Sequence, residues 1–514
     1  MGKRAFVIGL GKSGVWATRL LLESGYEVFA TDENVDSAGS LSGCRKFHFV
    51  GDPDEAVNIL REKDYSFVVV SPGVPPSFGP YRAALERASL KSFMERKPGK
   101  PPVISEVELA ILFQERFLGY APAYIGITGT NGKSTAVDLT AGVLKSVFLP
   151  AYPAGNFGEP LSKIFLEGPK VHYYVLELSS YQLERTFSLN FLSSVVLNIT
   201  PDHLYRYSSM EEYAEAKMRI HENSSFRLLN LDDEYTLHLL SSGFLRKVFP
   251  KDDVVLWGYS LEEKYRADSV NLRRSCMHLR DGCFFFEGYP FLAVRDLSDH
   301  LKLKHNLSNL LAVFSLLVPV IGNYKNLPPY ALASLKEFLY KYRGLPHRVE
   351  EFLEVNFRGI NVKFYDDSKS TNPDSVGKAV GSFDVPVLLL MGGQKKEADY
   401  SELFKRIERS SVFKVILFGG DRHALGDAIK RSGVAVDYVL AESFGELPDL
   451  IKEALLGFLK DFLSDKEFLP KFKNNCEVAV LFSPGCASFD SFSNFEERGR
   501  VFKEMIKRSF KENS

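Results

Sequence analysis

The chain has 514 residues, of which 45% are hydrophobic and 25% charged, and this length and composition predict about three globular domains. Because 64 Lys and Arg residues balance 65 Asp and Glu residues, the formal net charge is −1. No overall field therefore favours nucleic acid or a membrane surface, and an anionic ligand must be held by local sites.

The compartment can be predicted from the cysteines and from the apolar runs. Five cysteines are scattered along the chain without a Cys-x-x-Cys pair, which argues against a disulfide framework and a zinc site. No apolar run approaches about 18 residues, so a membrane span is not expected. Glycines interrupt the N-terminal apolar stretch that a signal peptide needs. We expect a soluble protein of the reducing cytoplasm.

The N-terminal third predicts a β-α-β unit with a glycine-rich turn. A buried strand at residues 5–8 is followed by Gly-Leu-Gly-Lys-Ser-Gly at residues 9–14, a helix, and a second strand that ends at Asp32. This Gly-x-Gly-x-x-Gly pattern is typical of a loop that holds a diphosphate, and taken alone it suggests a dinucleotide. Ser71 follows a later strand and is equally well explained as a turn residue or as a ligand contact.

The central stretch, residues 126–135, has the sequence Gly-Ile-Thr-Gly-Thr-Asn-Gly-Lys-Ser-Thr between an apolar strand and a predicted helix. Such a loop presents backbone N–H groups and a helix N-terminus to the phosphates of a nucleotide. We expect Lys133 to contact the β- and γ-phosphates and Ser134 to bind Mg²⁺. Ile127 stands where the common Walker pattern has glycine. The alternative is an ordinary glycine-rich turn from strand to helix.

Later strands of the middle third place further polar side chains. Glu177 ends the strand at residues 173–176, where it suits Mg²⁺, although an acid at a helix N-terminus is the alternative. His203 follows another strand, and its position favours metal or substrate contact. Lys217 lies in a helix predicted over residues 210–222, where a lysine is usually solvent-exposed. Residues 241–297 predict a small antiparallel addition.

The last third contains a linker and a cationic loop. Asn306 begins a helix and is either an adenine contact or an N-cap. Gly344 and Pro346 mark a domain boundary. Arg348 follows them, and its planar guanidinium suits adenine or phosphate. Lys369 lies in a polar loop at the end of a predicted strand.

Taken together, these motifs resemble those of the Mur ligases, in the same order and over almost the whole chain. The matching runs are residues 129–135, 177–184, 202–203, Lys217, residues 305–306, 345–348, 367–372 and 483–488. The run Glu-Leu-Ser-Ser-Tyr-Gln-Leu-Glu at residues 177–184 and the late run at residues 483–499 most resemble the family member that adds D-glutamate.

The resemblance implies an α/β protein of three domains, each a mainly parallel sheet flanked by helices. These are a Rossmann-like UDP-substrate domain over residues 1–119, a P-loop ATPase domain over 120–344, and a Rossmann-like amino-acid-binding domain over 345–514. The implied activity is ATP-dependent ligation of D-glutamate to UDP-N-acetylmuramoyl-L-alanine through an acyl phosphate, in cytoplasmic peptidoglycan synthesis. ATP, two Mg²⁺ ions and a carbamylated Lys217 are implied, as are a monomeric state and the absence of nucleic-acid and membrane partners.

The resemblance also assigns residues to roles. The implied catalytic residues are Lys133, Glu177, His203, Lys217 and Lys369. The implied ATP contacts are Gly129, Thr130, Asn131, Gly132, Lys133, Ser134, Thr135, Asn306, Arg348 and Asp367. The implied UDP-substrate contacts are Gly11, Lys12, Ser13, Asp32, Glu33, Ser71, Asn156 and His203. The implied D-glutamate contacts are Thr371, Lys396 (with Lys395 as a neighbouring alternative), Ser488, Phe489 and Phe495. The implied metal ligands are Ser134, Glu177, His203 and Lys217 as its carbamate.

Two departures and two alternatives accompany the resemblance. Tyr205 stands where relatives often carry Asp, and extra length falls near residues 91–102 and 460–475. A folylpolyglutamate synthase shares the ATPase core but lacks the first domain in this position. An NAD-dependent oxidoreductase or a nucleotide-binding regulator would use the first glycine pattern, but it leaves Lys133, Ser134 and the third domain unexplained.

Overall fold

The computed structural model describes residues 3–87, 102–203, 206–248, 255–261, 272–274, 277–395, 399–464 and 477–511. The chain divides into two compact units. The first comprises Met1–Ile199, Arg206–Leu292 and Asn309–Phe338, and the second comprises Thr200–Tyr205, Ala293–Ser308 and Leu339–Ser514.

The first sheet is parallel, with strand order β3-β2-β1-β4-β5. Its strands β1 to β5 are Arg4–Ile8, Glu27–Thr31, Phe47–Phe49, Phe67–Val70 and Val103–Ile104. Its helices are Lys12–Glu23, Pro53–Glu62, Gly79–Arg87 and Glu106–Leu118, with a 3₁₀ segment at Val35–Leu41. Both faces of the sheet are covered, so its strands are continuous apolar runs, and residues 5–8 are all 0% exposed.

The central sheet is also parallel, with strand order β12-β11-β10-β9-β6-β8-β7. Strands β6 to β12 are Ala123–Thr128, Ala151–Gly155, Tyr173–Glu177, Phe191–Val196, Ser224–Asn230, Leu256–Tyr259 and Leu272–Arg274. The α-helices from this part of the chain are Lys133–Ser146, Leu161–Glu167, Ser180–Leu183, Met210–Met218, Glu234–Ser241, Phe244–Val248, Asp299–Lys302, Lys304–Leu316, Val318–Ile321 and Pro329–Lys341. Short 3₁₀ segments are Arg219–His221, Val294–Asp296 and Tyr324–Asn326.

The antiparallel addition predicted over residues 241–297 is smaller than expected. Strands β13 to β15, Met277–Arg280, Cys283–Phe286 and Tyr289–Ala293, form this small sheet, and β13 and β14 pair antiparallel. Strands β11 and β12 instead extend the central sheet in parallel. Leu256 and Tyr259 of β11 are 2% exposed, because this segment is an interior strand rather than a surface hairpin.

The third sheet has strand order β16-β17-β21-β18-β19-β20. Its strands β16 to β21 are Glu350–Phe357, Ile360–Asp366, Val387–Gly392, Val412–Phe418, Tyr438–Leu440 and Glu477–Gly485. Only the pair β16–β17 is antiparallel among the described strands of this sheet. The helices are Pro373–Val380, Ser401–Glu408, Arg422–Ser432, Leu447–Ser464 and Phe495–Lys511, with a 3₁₀ segment at Phe444–Glu446.

The predicted fold class, mainly parallel sheets flanked by helices, is confirmed. The predicted domain boundaries stay a prediction, and the compact units divide the chain differently. The first two sheets share one hydrophobic core, which includes Val7 of the first and Leu176 of the central sheet. Residues 293–308 belong to the unit of the third sheet, although they precede the predicted boundary at residue 345. No helix in the described ranges is long and apolar enough to span a bilayer.

Candidate functional site

The phosphate loop lies between β6 and the helix Lys133–Ser146, as the sequence predicts. Gly129 has φ +152° and Gly132 has φ +83°, conformations that favour glycine. A Cβ on Gly132 would lie 2.7 Å from Oδ1 of Asn309, a residue of the helix Lys304–Leu316. The loop thus needs glycine at this position for its backbone and for the close approach of Asn309.

Lys133 places its ammonium group directly above this loop. Its Nζ donates to the carbonyl oxygens of Gly129 at 2.9 Å and Thr130 at 2.8 Å. The positive charge is therefore held at the N-terminus of a helix, where the helix dipole also attracts anions. This is the arrangement expected of a lysine that neutralises nucleotide phosphate.

Asn198, a further residue of the site, holds the backbone of the phosphate loop at Thr130 and Asn131. Its Oδ1 accepts from the Asn131 N–H at 2.9 Å, and its Nδ2 donates to the Asn131 carbonyl at 3.0 Å. Its own carbonyl accepts from the Thr130 N–H at 2.9 Å. Three hydrogen bonds from the end of β9 thus hold the loop in one shape.

Glu177 is buried at the end of β8 and is oriented from two sides. Ser134 Oγ donates to its Oε2 at 2.5 Å, and Asn156 Nδ2 donates to its Oε1 at 2.7 Å. Hydroxyl and carboxylate oxygens are the ligands that Mg²⁺ prefers, so Ser134 and Glu177 fit such an ion. The side chain of Asn156 thus orients the carboxylate, and its predicted contact with the UDP substrate stays a prediction.

Lys217 is 2% exposed, so the interpretation of this lysine as solvated surface is wrong. Its Nζ donates to the Gly129 carbonyl at 2.8 Å and lies 4.5 Å from the ring centroid of Tyr213. The helix ends at Met218 rather than at residue 222, and the chain continues as a 3₁₀ segment. Lys217 therefore lies beside the phosphate loop, in the first compact unit.

His203 belongs to the second compact unit and has φ +58°. Its N–H donates to Asp202 Oδ1 at 2.9 Å, and its Nε2 lies 3.7 Å from Asp202 Oδ2. Its predicted roles towards metal and substrate stay predictions. The unusual residue Tyr205 lies outside the described residues, as do residues 91–101 and 465–475 of the two extra segments.

A cavity of about 390 Å³ opens at the glycine-rich turn of the first sheet. Its lining includes six of the residues predicted to contact the UDP substrate: Gly11, Lys12, Ser13, Asp32, Glu33 and Ser71. Val74 and Phe78, which the sequence analysis did not single out, add apolar wall. The cavity thus combines a phosphate-type turn with an apolar surface.

Two of these residues also shape the turn itself. Asp32 Oδ2 accepts from the Leu10 N–H, and Ser71 Oγ donates to the Gly9 carbonyl at 2.7 Å. A Cβ on Gly14 would lie 1.8 Å from the Gly9 carbonyl oxygen, so no other residue fits there. Both explanations of Ser71 are therefore compatible with the structure, since it braces the turn and lines the cavity.

Lys12 connects this cavity with the central sheet inside the same compact unit. Its Nζ donates to the Gly158 carbonyl at 2.8 Å and lies 3.5 Å from Glu159 Oε2. Gly158 follows Asn156, which orients Glu177. A short chain of contacts thus joins the two glycine-rich loops.

In the third sheet, Asp367 follows β17 and is 4% exposed. Its Oδ2 accepts from Ser370 Oγ at 2.6 Å and from Ser483 Oγ at 2.7 Å. Burial raises the pKa of Asp367 to about 7, and the hydrogen bonds from Ser370 and Ser483 oppose that rise. Two hydroxyls thus hold the Asp367 carboxyl, and its predicted contact with the ribose stays a prediction.

Arg498, which the sequence analysis did not assign to the site, lies under the loops of the third sheet and is 0% exposed. It donates to Ser368 Oγ at 3.0 Å and to the carbonyls of Ser368, Cys486 and Ala487 at 2.9, 3.1 and 3.2 Å. Burial lowers the pKa of this guanidinium to about 10. Arg498 therefore binds together the loops that carry Lys369 and Ser488.

The residues predicted to contact D-glutamate differ in solvent exposure. Ser488 is 3% exposed, Phe489 is 72% exposed, and Thr371 and Phe495 are half-buried. Lys369 Nζ lies 3.9 Å from the ring centroid of Phe495. Lys396 lies outside the described residues, and the neighbouring Lys395 donates its N–H to Asp421 Oδ2 at 2.6 Å.

Comparisons with known proteins bear on this geometry. Residues 127–317 match the family described as Mur ligase middle domain. The UDP-N-acetylmuramoylalanine--D-glutamate ligase of Citrifermentans bemidjiense is 34% identical over 517 residues, with 98% of this chain and 97% of that protein covered. The protein of the same name from Caldicellulosiruptor saccharolyticus is 32% identical, with 98% of each chain covered. The chain belongs to the Mur ligase family.

A solved structure agrees with this Mur ligase at the level of the fold. UDP-N-acetylmuramate-alanine ligase MurC from Thermotoga maritima aligns with a TM-score of 0.52 at 19% identity, covering 99% of this chain and 100% of that chain. The predicted family is therefore confirmed, while the predicted roles of individual residues stay predictions.

The structure of this Mur ligase brings part of the predicted site together. Lys133, Ser134, Glu177 and Lys217 meet at the phosphate loop of the first unit. Asp367 and Lys369 lie in the second unit, as does Asn306, whose Nδ2 donates to the His300 carbonyl at 2.8 Å. Asn309 could have been predicted from sequence as a site residue. It lies three residues after Asn306 and therefore on the same face of the helix.

Proposed function

We propose that this Mur ligase is an ATP-dependent ligase that joins D-glutamate to UDP-N-acetylmuramoyl-L-alanine. The observation that carries the proposal is the presence of two glycine-rich phosphate-type loops in one compact unit, linked by the contact between Lys12 and Gly158. One loop suits a nucleotide triphosphate with metal, and the other suits a nucleotide diphosphate. The names of the full-length relatives supply the identity of the substrates.

The proposed chemistry solves the problem of a poor leaving group. A carboxylate does not react with an amine, so its oxygen first attacks the γ-phosphorus of ATP, and ADP leaves. The amine of D-glutamate then attacks the acyl carbon, loses a proton, and expels inorganic phosphate to leave an amide. Both steps depend mainly on positioning and on neutralisation of negative charge.

Residues on both units supply this neutralisation. Lys133 would neutralise the phosphates from the loop side, and Lys369 would face the transferring phosphoryl group or the carboxylate. A bound Mg²⁺ would supply positive charge that neutralises the phosphates. Ser134 and Glu177 are the oxygen ligands that would hold it. Asn156 keeps the Glu177 carboxylate oriented for that task.

Further parts of the proposal concern cofactors and location. We propose two Mg²⁺ ions and a carbamate on Lys217, whose buried amine beside Gly129 suits an anion that binds a second ion. We also propose a monomer that acts in the cytoplasm, with small molecules as its only ligands.

The two alternatives from the sequence are less well supported. An NAD-dependent oxidoreductase leaves the phosphate loop with Lys133 and Ser134, and the whole third sheet, without a role. If the chain were a folylpolyglutamate synthase, the cavity at the first sheet would have no role. The full-length relatives carry the names of neither class.

The proposal is tested by phosphate release from ATP with defined acceptors. With UDP-N-acetylmuramoyl-L-alanine present, D-glutamate should stimulate release, whereas L-glutamate and other D-amino acids should not. Tetrahydrofolate with L-glutamate serves as the alternative pair. Release with the folate pair alone, or NADH binding without ATP turnover, would overturn the proposal.

A further inference from the structure

The linker into the third sheet has a strained backbone. His347 has φ +63° and Val349 has φ +47°, values that are uncommon for any side chain and especially for a β-branched one. Such conformations persist only where the surroundings hold them in place. Arg348, the predicted ATP contact, lies between these two residues.

Three carboxylates hold the linker in this shape. The imidazole of His347 donates from Nδ1 to Asp366 Oδ2 at 2.6 Å, and the His347 N–H donates to Glu350 Oε2 at 2.9 Å. The Val349 N–H donates to Asp367 Oδ1 at 3.3 Å. Glu350 and Asp366 face each other across the antiparallel pair β16–β17, so the sheet itself sets their spacing.

Asp366 and Asp367 also hold the loop that carries Lys369. Asp366 is 0% exposed, and its Oδ1 accepts from the Ser368 N–H at 3.0 Å. The Lys369 N–H donates to the His347 carbonyl at 3.1 Å. The linker and the Lys369 loop are therefore tied to each other as well as to the sheet.

A cation in the cluster argues against a metal site. His347, Glu350 and Asp366 have ligand atoms close enough together to hold an ion. Lys503 Nζ, however, lies 2.7 Å from Glu350 Oε2 and 3.7 Å from Asp366 Oδ2. Its charge already compensates the carboxylates, so the cluster is better explained as a set of structural ion pairs and hydrogen bonds that holds the linker.

Gly499 makes the contact between His347 and Asp366 possible. A Cβ at this position would lie 2.2 Å from His347 Nδ1 and 2.7 Å from Asp366 Oδ2. Gly499 lies inside the helix Phe495–Lys511 and has no positive φ, so its backbone does not require glycine. Glycine is therefore needed here for the space that the His347–Asp366 pair occupies.

We propose that the His347–Asp366 pair is a positioning device for the ligation reaction, and that Gly499 leaves the space for it. The pair fixes the backbone on both sides of Arg348 and at Lys369, so both cations reach ATP and the reacting carboxylate in one arrangement. This inference rests on the proposed ligase function, in which those two residues act on ATP and on the phosphoryl group.

The decisive variant is Gly499→Ala, with Gly457→Ala as its matched control. A Cβ at residue 499 would displace the His347–Asp366 pair, so a purely structural role of the pair predicts a lower melting temperature with an unchanged KM for ATP and kcat in the folded protein. Our proposal predicts that Gly499→Ala raises the KM for ATP and lowers kcat, together by about tenfold or more. Gly457 lies in the helix Leu447–Ser464 with nothing near its Cβ position, so Gly457→Ala should behave as wild type.

A second pair of variants covers the case in which Gly499→Ala fails to fold. In His347→Asn the amide can still donate to Asp366, and Asn tolerates a positive φ. His347→Leu removes the donor. We expect His347→Asn to retain most activity and His347→Leu to lose it, with the KM for the UDP substrate unchanged in both. Equal kinetics for the two variants, or wild-type ATP parameters in a folded Gly499→Ala, would overturn the inference.

Binding of a non-hydrolysable ATP analogue separates this inference from the proposed function. Weaker analogue binding by Gly499→Ala than by Gly457→Ala supports the positioning role whether or not ligation is observed. Absence of D-glutamate-dependent phosphate release from the wild-type protein would instead contradict the proposed function.

Discussion

The amine of Lys217 lies 2.8 Å from the Gly129 carbonyl, in a side chain that is 2% exposed. A buried amine beside a phosphate loop is suited to capture CO₂ as a carbamate, which converts a cation into a metal ligand. Lys217→Ala should therefore lower ligation strongly, and added bicarbonate should not restore it. With ¹³C-bicarbonate, the wild-type protein should show a carbamate NMR signal that this variant lacks. Wild-type kinetics in Lys217→Ala would exclude the role.

Lys133 is the residue on which phosphate neutralisation depends most directly. Lys133→Ala removes the charge held between the Gly129 and Thr130 carbonyls, and ATP-dependent ligation should be abolished. Lys145→Ala, at the exposed end of the same helix, is the control and should retain activity. Product formation by Lys133→Ala at the wild-type rate would contradict the assignment.

At the scale of residues, sequence could predict those side chains whose chemistry is visible in a local motif. Lys133 and Ser134 follow a glycine-rich turn, and Glu177 ends an apolar strand. Arg498 and Asn198 could not be assigned in this way. Their roles depend on which carbonyls and loops the fold brings to them, and these lie up to 130 residues away in the chain for Arg498.

At the scale of elements, the contact between the helices Glu106–Leu118 and Leu161–Glu167 joins the first two sheets. Glu106 is 2% exposed, and its Oε1 accepts from the Ser162 N–H at 2.5 Å. A carboxylate at a helix N-terminus is favourable, but burial disfavours its charge. Burial raises the pKa of Glu106 to about 7, and the hydrogen bonds from Ser162 oppose that rise.

This buried carboxyl predicts a pH dependence of stability. The usual pKa of 4.5 applies to the unfolded chain, and the folded value is about 7. Below both values the group is protonated in both states and has no effect. As the pH rises from 4.5 to 7 the folded state binds more protons than the unfolded state, so stability falls, by at most about 3 kcal/mol.

Glu106→Gln should remove this dependence, because the amide keeps an oxygen for Ser162 but does not ionise. We expect the variant to have a higher free energy of unfolding than wild type at pH 8 and a similar or lower one at pH 4. Denaturant unfolding at the two pH values measures the difference. Glu115→Gln, on the solvent-exposed side of the same helix, is the control. The same pH slope in Glu106→Gln and wild type would contradict the prediction.

The sequence pattern predicted most strands, but it did not predict how every strand pairs within its sheet. The strands before Gly9, Gly129 and Glu177 are continuous apolar runs, which is typical of parallel sheets. The segment that contains β11 was expected to be part of an antiparallel addition, because turns and β-formers alternate there. Its position beside β10 depends on long-range packing of Leu256 and Tyr259, which a local pattern does not contain.

At the scale of the whole molecule, the division into two compact units places the phosphate loop and the Lys369 loop in different units. The proposed reaction uses Lys133 of one unit and Lys369 of the other, so we expect domain motion about the linker near Leu345 during the catalytic cycle. The hydrogen bond between His347 and Asp366 would make the chain after residue 346 move with the third sheet. The three-domain organisation stays a prediction from length and motifs, whereas the two compact units depend on contacts between distant segments.

In the proposed reaction, ATP activates the carboxylate of UDP-N-acetylmuramoyl-L-alanine for attack by D-glutamate. The most direct measurement uses substrate whose alanine carboxylate is labelled with ¹⁸O, followed by mass analysis of both products. We expect that, for each amide formed with D-glutamate, one ¹⁸O is found in the released phosphate, because the acyl oxygen leaves with phosphorus. Phosphate without ¹⁸O, or label transfer without any D-glutamyl product, would contradict it.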